Sequence, residues 1–218
     1  MVNHHPTSDL LTLFSAGSLP MSQALCISAH IEHCSECQAN VSRLNSLGAS
    51  FFETQTPVKT SNNLKSSVLA MLDEMPVVEQ VKPAIDVNSN VPRCLQQFVP
   101  EGYDALKWKR LSPSIRTIEL CTDTNGAKVE LMRIKPGAKV GAHTHTGNEY
   151  TLVLEGSFSD NSGIYKKGDF VVRDSHHKHQ PVVSMDNECI CLAVTDAPIE
   201  FTGWMTRLLN PLIRRSYF

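Results

Sequence analysis

From residue 8 to residue 75 the apolar positions recur at intervals of three and four, whereas from about 107 to 195 they fall into short β-rich stretches separated by Gly, Asp and Asn. Two architectures are therefore expected on one chain. In the first, Leu10, Leu13 and Phe14 define one face of a helix over 9–16, with Ser8 as its N-cap and Gly17 as its stop. Pro20 suits the first turn of a second helix running toward His33. A third helix carries Val41, Leu44, Leu47 and Phe51 on one core-facing stripe. After a Thr/Pro/Ser-rich break at 54–61, Leu64, Val68, Met71, Leu72 and Met75 stand at i, i+4, i+7, i+8 and i+11, and Pro76 ends that fourth helix.

Little periodicity survives between 76 and 99, where Lys82-Pro83-Ala84 and Asn88-Ser89-Asn90 read as a connector. Beyond it strands are expected at 115–121, 129–134, 150–154, 170–173 and 189–194, joined by turns such as Pro136-Gly137 and Lys167-Gly168-Asp169. Many short strands with regular turn signals imply an antiparallel β-sandwich or small barrel. The expected organisation is multidomain, α then β: a small helical bundle over 1–76, a linker over 77–98, the β domain over 99–198, and a tail over 199–218. That tail carries Trp204, Leu208, Leu209 and Leu212 and is expected to pack on the barrel.

Composition narrows the function. The chain has 218 residues, 41% of them hydrophobic, and a net charge of -2, which supports ordinary cores and speaks against direct nucleic-acid contact. No apolar run approaches the length needed to span a bilayer, and the first residues lack a basic-then-apolar export signal, so a cytoplasmic protein without membrane contact is expected. Seven cysteines include the pairs Cys34-x-x-Cys37 and Cys189-x-Cys191, spacings that suit thiolate or redox chemistry better than a disulfide framework.

The strongest chemical signal is the run Gly137-(x)5-His143-x-His145-(x)3-Glu149-(x)6-Gly156, followed by His179. On a strand alternate residues share a face, so His-x-His aims two imidazoles the same way, and a Gly147-Asn148 turn returns Glu149 to the same point. Three imidazoles and a carboxylate fill a metal's coordination sphere. His176 and His177 compete with His179 for the last place. A second cluster, His30-(x)3-Cys34-(x)2-Cys37, converges across about two helical turns. Two thiolates and an imidazole suit zinc, and the fourth ligand is expected to be His5, with His4 and His33 as rivals. A bundle of short helices buries little apolar surface, so a structural metal gives it a means of folding.

The helical His5, His30, Cys34, Cys37 module followed by His143-x-His145-(x)3-Glu149 resembles the ChrR family of zinc-binding anti-sigma factors, in which a helical domain precedes a cupin. The likeness extends over nearly the whole chain, through Ser8-Asp9-Leu10-Leu11, Ala16-Gly17-Ser18-Leu19-Pro20 and Cys189-Ile190-Cys191-Leu192-Ala193. It implies two zinc ions per chain, one on His5, His30, Cys34 and Cys37 and one on His143, His145, Glu149 and His179. It further implies a non-enzymatic regulator that sequesters an extracytoplasmic-function sigma factor in a 1:1 complex and releases it when the cupin senses oxidative stress of the singlet-oxygen type. Leu64, Val68, Met71, Leu72 and Met75 are the expected sigma-contacting stripe, and Cys189 and Cys191 a possible redox pair. The chain departs from the general cupin pattern before His179, where the usual Pro-x-Gly is missing. The rival reading is a metal-dependent cupin dioxygenase or isomerase, which uses the same ligand set.

Overall fold

Thr7, rather than Ser8, caps the first helix: its hydroxyl accepts from the Leu10 N–H, and α1 runs Ser8–Ser15. Gly17 follows at φ +65, a conformation that favours glycine and lets the chain turn into Pro20. The next helices are α2 (Met21–Ile31), α3 (Ser35–Glu53) and α4 (Leu64–Glu74). This computed structural model describes residues 2–74, 86, 89–203, 208, 210 and 211. Met75, Pro76, most of the expected connector and most of the expected tail, Trp204, Leu209 and Leu212 included, lie outside the described residues.

Twelve strands are present among the described residues: β1 (Lys109–Arg110), β2 (Ile115–Thr122), β3 (Lys128–Ile134), β4 (His143–His145), β5 (Glu149–Glu155), β6 (Ser157–Asp160), β7 (Gly163–Lys166), β8 (Phe170–Arg173), β9 (Lys178–His179), β10 (Val182–Val183), β11 (Cys189–Thr195) and β12 (Ile199–Phe201). Six of them form one antiparallel sheet in the order β1-β2-β3-β11-β5-β8. Two three-stranded sheets, β10-β6-β7 and β12-β4-β9, complete the β domain. The long strands follow the expected ones closely. The two-residue and three-residue strands carry no alternation that a sequence pattern can register.

Strand β11 shows how the two halves of the chain are joined. All seven of its residues are buried, because each face has a cover. Cys189 and Cys191 face a core inside the β domain with Ile134, Val153, Phe158 and Val171. Ile190, Leu192 and Val194 face the other way and share a core with Leu152 and Leu154 of β5 and with Leu11, Cys26 and Ile27 of the helices. The helical module therefore packs on the outer face of the six-stranded sheet. Ile27, Leu152 and Leu192 are fully buried in that shared core, each contributing about 1.5–3 kcal/mol. A hydrogen bond from the Ser22 hydroxyl of α2 to Asp123 adds a polar tie across it.

Two expectations need correction. Val91 and Leu95 fall in the segment read as connector, yet both are buried in the shared core, where Arg93–Leu95 makes a 3-10 turn held by the Glu32 carboxylate. The short, aperiodic stretch hides its packing from any periodicity argument. The stripe on α3 is core-facing only as far as Leu44: Leu47 and Phe51 are exposed, as is every residue from 45 to 74. No helix among the described residues is long and apolar enough to cross a membrane.

Candidate metal centres

The first cluster is assembled from three pieces of chain. Cys34 is the N-cap of α3 and its Sγ accepts from the Cys37 N–H at 3.4 Å, so both sulfurs sit at a helix N-terminus, where the dipole favours thiolate. His30 comes from the last turn of α2. Its Nδ1 donates to the Gly168 carbonyl at 2.8 Å, which fixes the tautomer and leaves Nε2 as a bare acceptor; that buried atom has no hydrogen-bond partner among the described residues. His5 closes the set with Nδ1 at 3.3 Å from Cys34 Sγ and 3.4 Å from Cys37 Sγ. One donor atom from each of the four lies within 4.8 Å of all the others.

The choice between His4 and His5 follows from the arm that carries them. The Asn3 and His4 N–H groups both donate to Asp169 Oδ1, at 2.7 and 3.1 Å, and the Phe170 N–H donates to the His4 carbonyl at 2.9 Å. That pins residues 3 and 4 against the start of β8 in extended form, so consecutive side chains diverge. His4 packs against the Tyr165 ring with centroids 4.7 Å apart and planes tilted by 55°, and His5 turns to the sulfurs. His33 lies against Gly168, outside the cluster. Burial lowers the His30 pKa to about 4, so the ring is a neutral ligand at neutral pH. Burial first, then its hydrogen bond with Cys34, pushes the Cys37 thiol up to about 12. A divalent ion that displaces those protons resolves this burial of polar sulfur, and the S2N2 set suits zinc.

The second cluster lies inside the β domain. His143 and His145 project from β4, His179 from β9 directly opposite His143, and Glu149 from the start of β5 in the large sheet. His143 Nδ1 donates to the Gly141 carbonyl at 2.8 Å and His179 Nδ1 donates to Asp160 Oδ2 at 2.9 Å. Both Nε2 atoms are consequently lone pairs, yet they face each other at 3.0 Å, with His145 Nε2 3.2 Å from that of His179 and 3.2 Å from the Glu149 carboxylate. Lone pairs converging this closely repel unless a cation lies between them. Burial lowers the pKa of His145 to about 4 and moves that of His179 below the usual imidazole value, so protonation at neutral pH does not relieve the repulsion. The residues present thus fit a divalent metal. His176 and His177 are exposed, and His177 is taken up by Asp174 at 2.7 Å.

Sequence reasoning missed the residues that support these ligands. Asp196 pins the Gly147-Asn148 turn by accepting from the Asn148 N–H and side-chain amide at 2.6 and 3.1 Å, and so delivers Glu149. Gly137 and Gly156, which the sequence motif already included, both adopt positive φ, and at Gly156 a side chain would collide with the Glu188 backbone. Asp160 holds His179. Burial raises its pKa, but hydrogen bonds from His179, the Ser162 N–H and Arg173 outweigh that and bring it down to about 2. Arg173 Nη2 reaches Asp160 at 3.0 Å and the Tyr165 hydroxyl at 2.6 Å, and Tyr165 is the residue under His4. Side chains alternating at i, i+2 on short strands carry no distinctive spacing, so no sequence signal marked them. The redox pair expected at 189 and 191 has its sulfurs 3.5 Å apart on the inner face of β11.

A cupin domain covered on its outer sheet by a helical module, each part with its own four-donor cluster, defines the class of this protein. The ChrR cupin-like domain family matches residues 99–198. The anti-sigma-E factor ChrR of Cereibacter sphaeroides is 33% identical over 213 residues, covering 98% of this chain and 99% of that protein. The crystal structure of Rhodobacter sphaeroides SigE in complex with the anti-sigma ChrR contains a chain that superposes with a TM-score of 0.76 at 31% identity, over 89% of this chain and 99% of that one. The chain belongs to the ChrR family.

Proposed function

We propose that this protein is a cytoplasmic zinc-dependent anti-sigma factor, not an enzyme, that holds an extracytoplasmic-function sigma factor in a 1:1 complex and contacts neither nucleic acid nor membrane itself. The observation that carries the reading is the outer half of the helical module. Leu47, Phe51 and Phe52 of α3 and Leu64, Val68, Leu69, Met71 and Leu72 of α4 are all exposed. An eleven-residue helix is marginal in water by itself, and an apolar surface of that extent marks an interaction site. Amphipathic helices with adaptable methionines suit a groove or a clamp around another helical protein.

Zinc on His5, His30, Cys34 and Cys37 welds the N-terminal arm to α2 and α3 and gives the clamp a fixed base. A second metal, zinc in our reading, is held by His143, His145, Glu149 and His179. The two are linked by contiguous contacts: His179 to Asp160, Asp160 to Arg173 and Tyr165, Tyr165 to His4, and His4 to His5 along the chain. The Gly168 carbonyl, in the turn before β8, in addition orients His30 directly. Oxidative damage to the cupin cluster thereby reaches the clamp without a long-range rearrangement. The Cys191 thiol is kept protonated, first by its hydrogen bond with Cys189 and then by burial, which disfavours it as a thiolate nucleophile and shifts the weight of sensing to the metal ligands and Met132.

The test is co-expression of the full chain with the extracytoplasmic-function sigma factor of its own genome, one partner tagged. Co-purification in equal amounts with about two zinc per chain supports the proposal. Iron in the cupin together with oxygen uptake, and no sigma factor retained, reinstates the dioxygenase.

A further inference from the structure

A cavity of about 700 Å³ opens from the cupin metal cluster into the β domain, a volume typical of sites for small molecules. Its wall is graded. Because β3, β11 and β5 lie side by side, their inward residues form rows across the sheet. The row level with the metal cluster is Lys128, Thr195 and Glu149, and the next is Glu130, Ala193 and Thr151. Beyond these the lining is mostly apolar, with Met132, Ile134 and Ile115 on the sheet and Val140 and Phe158 across from it, although Ser112 and Lys139 also contribute. One end is therefore polar and metal-bearing, the other greasy.

Among the described residues, the charged ones lining the cavity are Lys128, Glu130, Lys139 and Glu149. Glu119 approaches Lys128 from the solvent edge at 4.0 Å, and the Glu130 carboxylate accepts from the Thr117 hydroxyl at 3.5 Å. At the polar end Lys128, Glu130 and Glu149 sum to -1, so a divalent ion on the cluster brings their total to +1. An apolar cavity this large is a poor home for water away from its polar end.

We infer that the cavity is a receptor site for a small amphipathic carboxylate, whose chain lies among Met132, Ile134, Val140 and Phe158 and whose head meets the metal cluster and Lys128. The inference deepens the reading of the cupin as the input domain and rests on it. A bound acid fills the space through which a small oxidant reaches His143, His179 and Met132, so occupancy sets how readily the cluster is damaged. The head group supplies the charge complementarity and the chain supplies the burial.

Calorimetric titration of the zinc-loaded full chain with octanoate, 1-octanol and octylamine tests this. Saturable 1:1 binding of octanoate is expected, at least tenfold tighter than either analogue, and weakened at least tenfold when the cupin metal is stripped. Ala193→Phe, which fills the middle of the cavity, and independently Met132→Trp, which fills its apolar half, should each abolish binding while zinc content and thermal unfolding of the loaded protein are retained in at least one of the two. Absence of saturable binding, equal affinity for octanol, or octanoate binding that survives both substitutions overturns the inference. Sigma-factor capture is measured on the same preparations: capture without octanoate binding defeats this inference alone, and octanoate binding without capture defeats the anti-sigma reading alone.

Discussion

The two clusters solve one problem in opposite ways. The cupin cluster stands on strands whose positions are set by a hydrogen-bonded sheet and its cores, and the register of β4 against β9 places His143 beside His179. The helical cluster has a thinner frame, tied to the β domain by the Asp169 and Gly168 hydrogen bonds and by one apolar face of its helices. Its ligands come from an extended arm, the end of α2 and the N-cap of α3, and outside it only part of those helices packs on the sheet. Metal binding should therefore be folding energy in the first cluster and mainly occupancy in the second. In the proposed reading, holding the clamp and responding to damage are thereby separate tasks.

The sharpest way to break this contrast is to remove the thiolates. Cys34→Ser with Cys37→Ser should forfeit a contribution that in small zinc domains is on the order of 10 kcal/mol. The expected outcome is loss of one zinc, loss of helical circular dichroism and rapid proteolysis before residue 90, with the β domain still melting cooperatively. A variant that keeps its helical signal would show that α1 to α3 fold on the sheet alone. Next in size is Asp160→Asn, which leaves His179 without its carboxylate and should weaken the cupin metal by about 10–100-fold. Competition with a chromophoric chelator measures this, and zinc on the cysteines should be unchanged.

Smaller effects probe the joint between the halves. The Asp123 pKa lies below the usual carboxylate value: burial raises it, but hydrogen bonds from Ser22 and from the Asn125 and Ala127 N–H groups prevail. A depressed folded-state pKa stabilises above the unfolded value of about 4 and is lost as pH falls through the folded one. Unfolding midpoints measured down through that range should fall less steeply in Asp123→Asn than in the parent chain. At the bottom of the scale, Thr7→Ala should cost about 1 kcal/mol in urea unfolding by uncapping α1. A null result there would mean that the arm, not the cap, sets the start of the helix.

How much of this was legible in the sequence depended on periodicity. The long strands β2, β3, β5 and β11 and the four helices announced themselves by spacing, and both donor clusters were readable because metal chemistry demands particular residue types at particular offsets. His5 and His179, and not His4, His176 or His177, stand in the two groups of converging donors among the described residues. What stayed hidden depends on tertiary contact. Val91 and Leu95 gain their burial only because the sheet is there to receive them, Asp160 and Asp169 look like ordinary turn and edge residues until the arm and His179 arrive, and Leu47 and Phe51 have the same spacing as core residues although nothing among the described residues covers them. Amphipathicity reveals that a face will be buried, and is silent about by whom.

That last point carries the central claim, and one measurement addresses it most directly: the mass of the complex formed by the purified chain and its sigma factor, by light scattering on a sizing column, for the parent chain and for Val68→Asp with Leu72→Asp. Both positions are exposed, so folding stability should stay within about 0.5 kcal/mol and both clusters should remain loaded. The predicted result is a 1:1 complex for the parent and separate proteins for the variant. An undiminished complex with the charged variant would contradict the account.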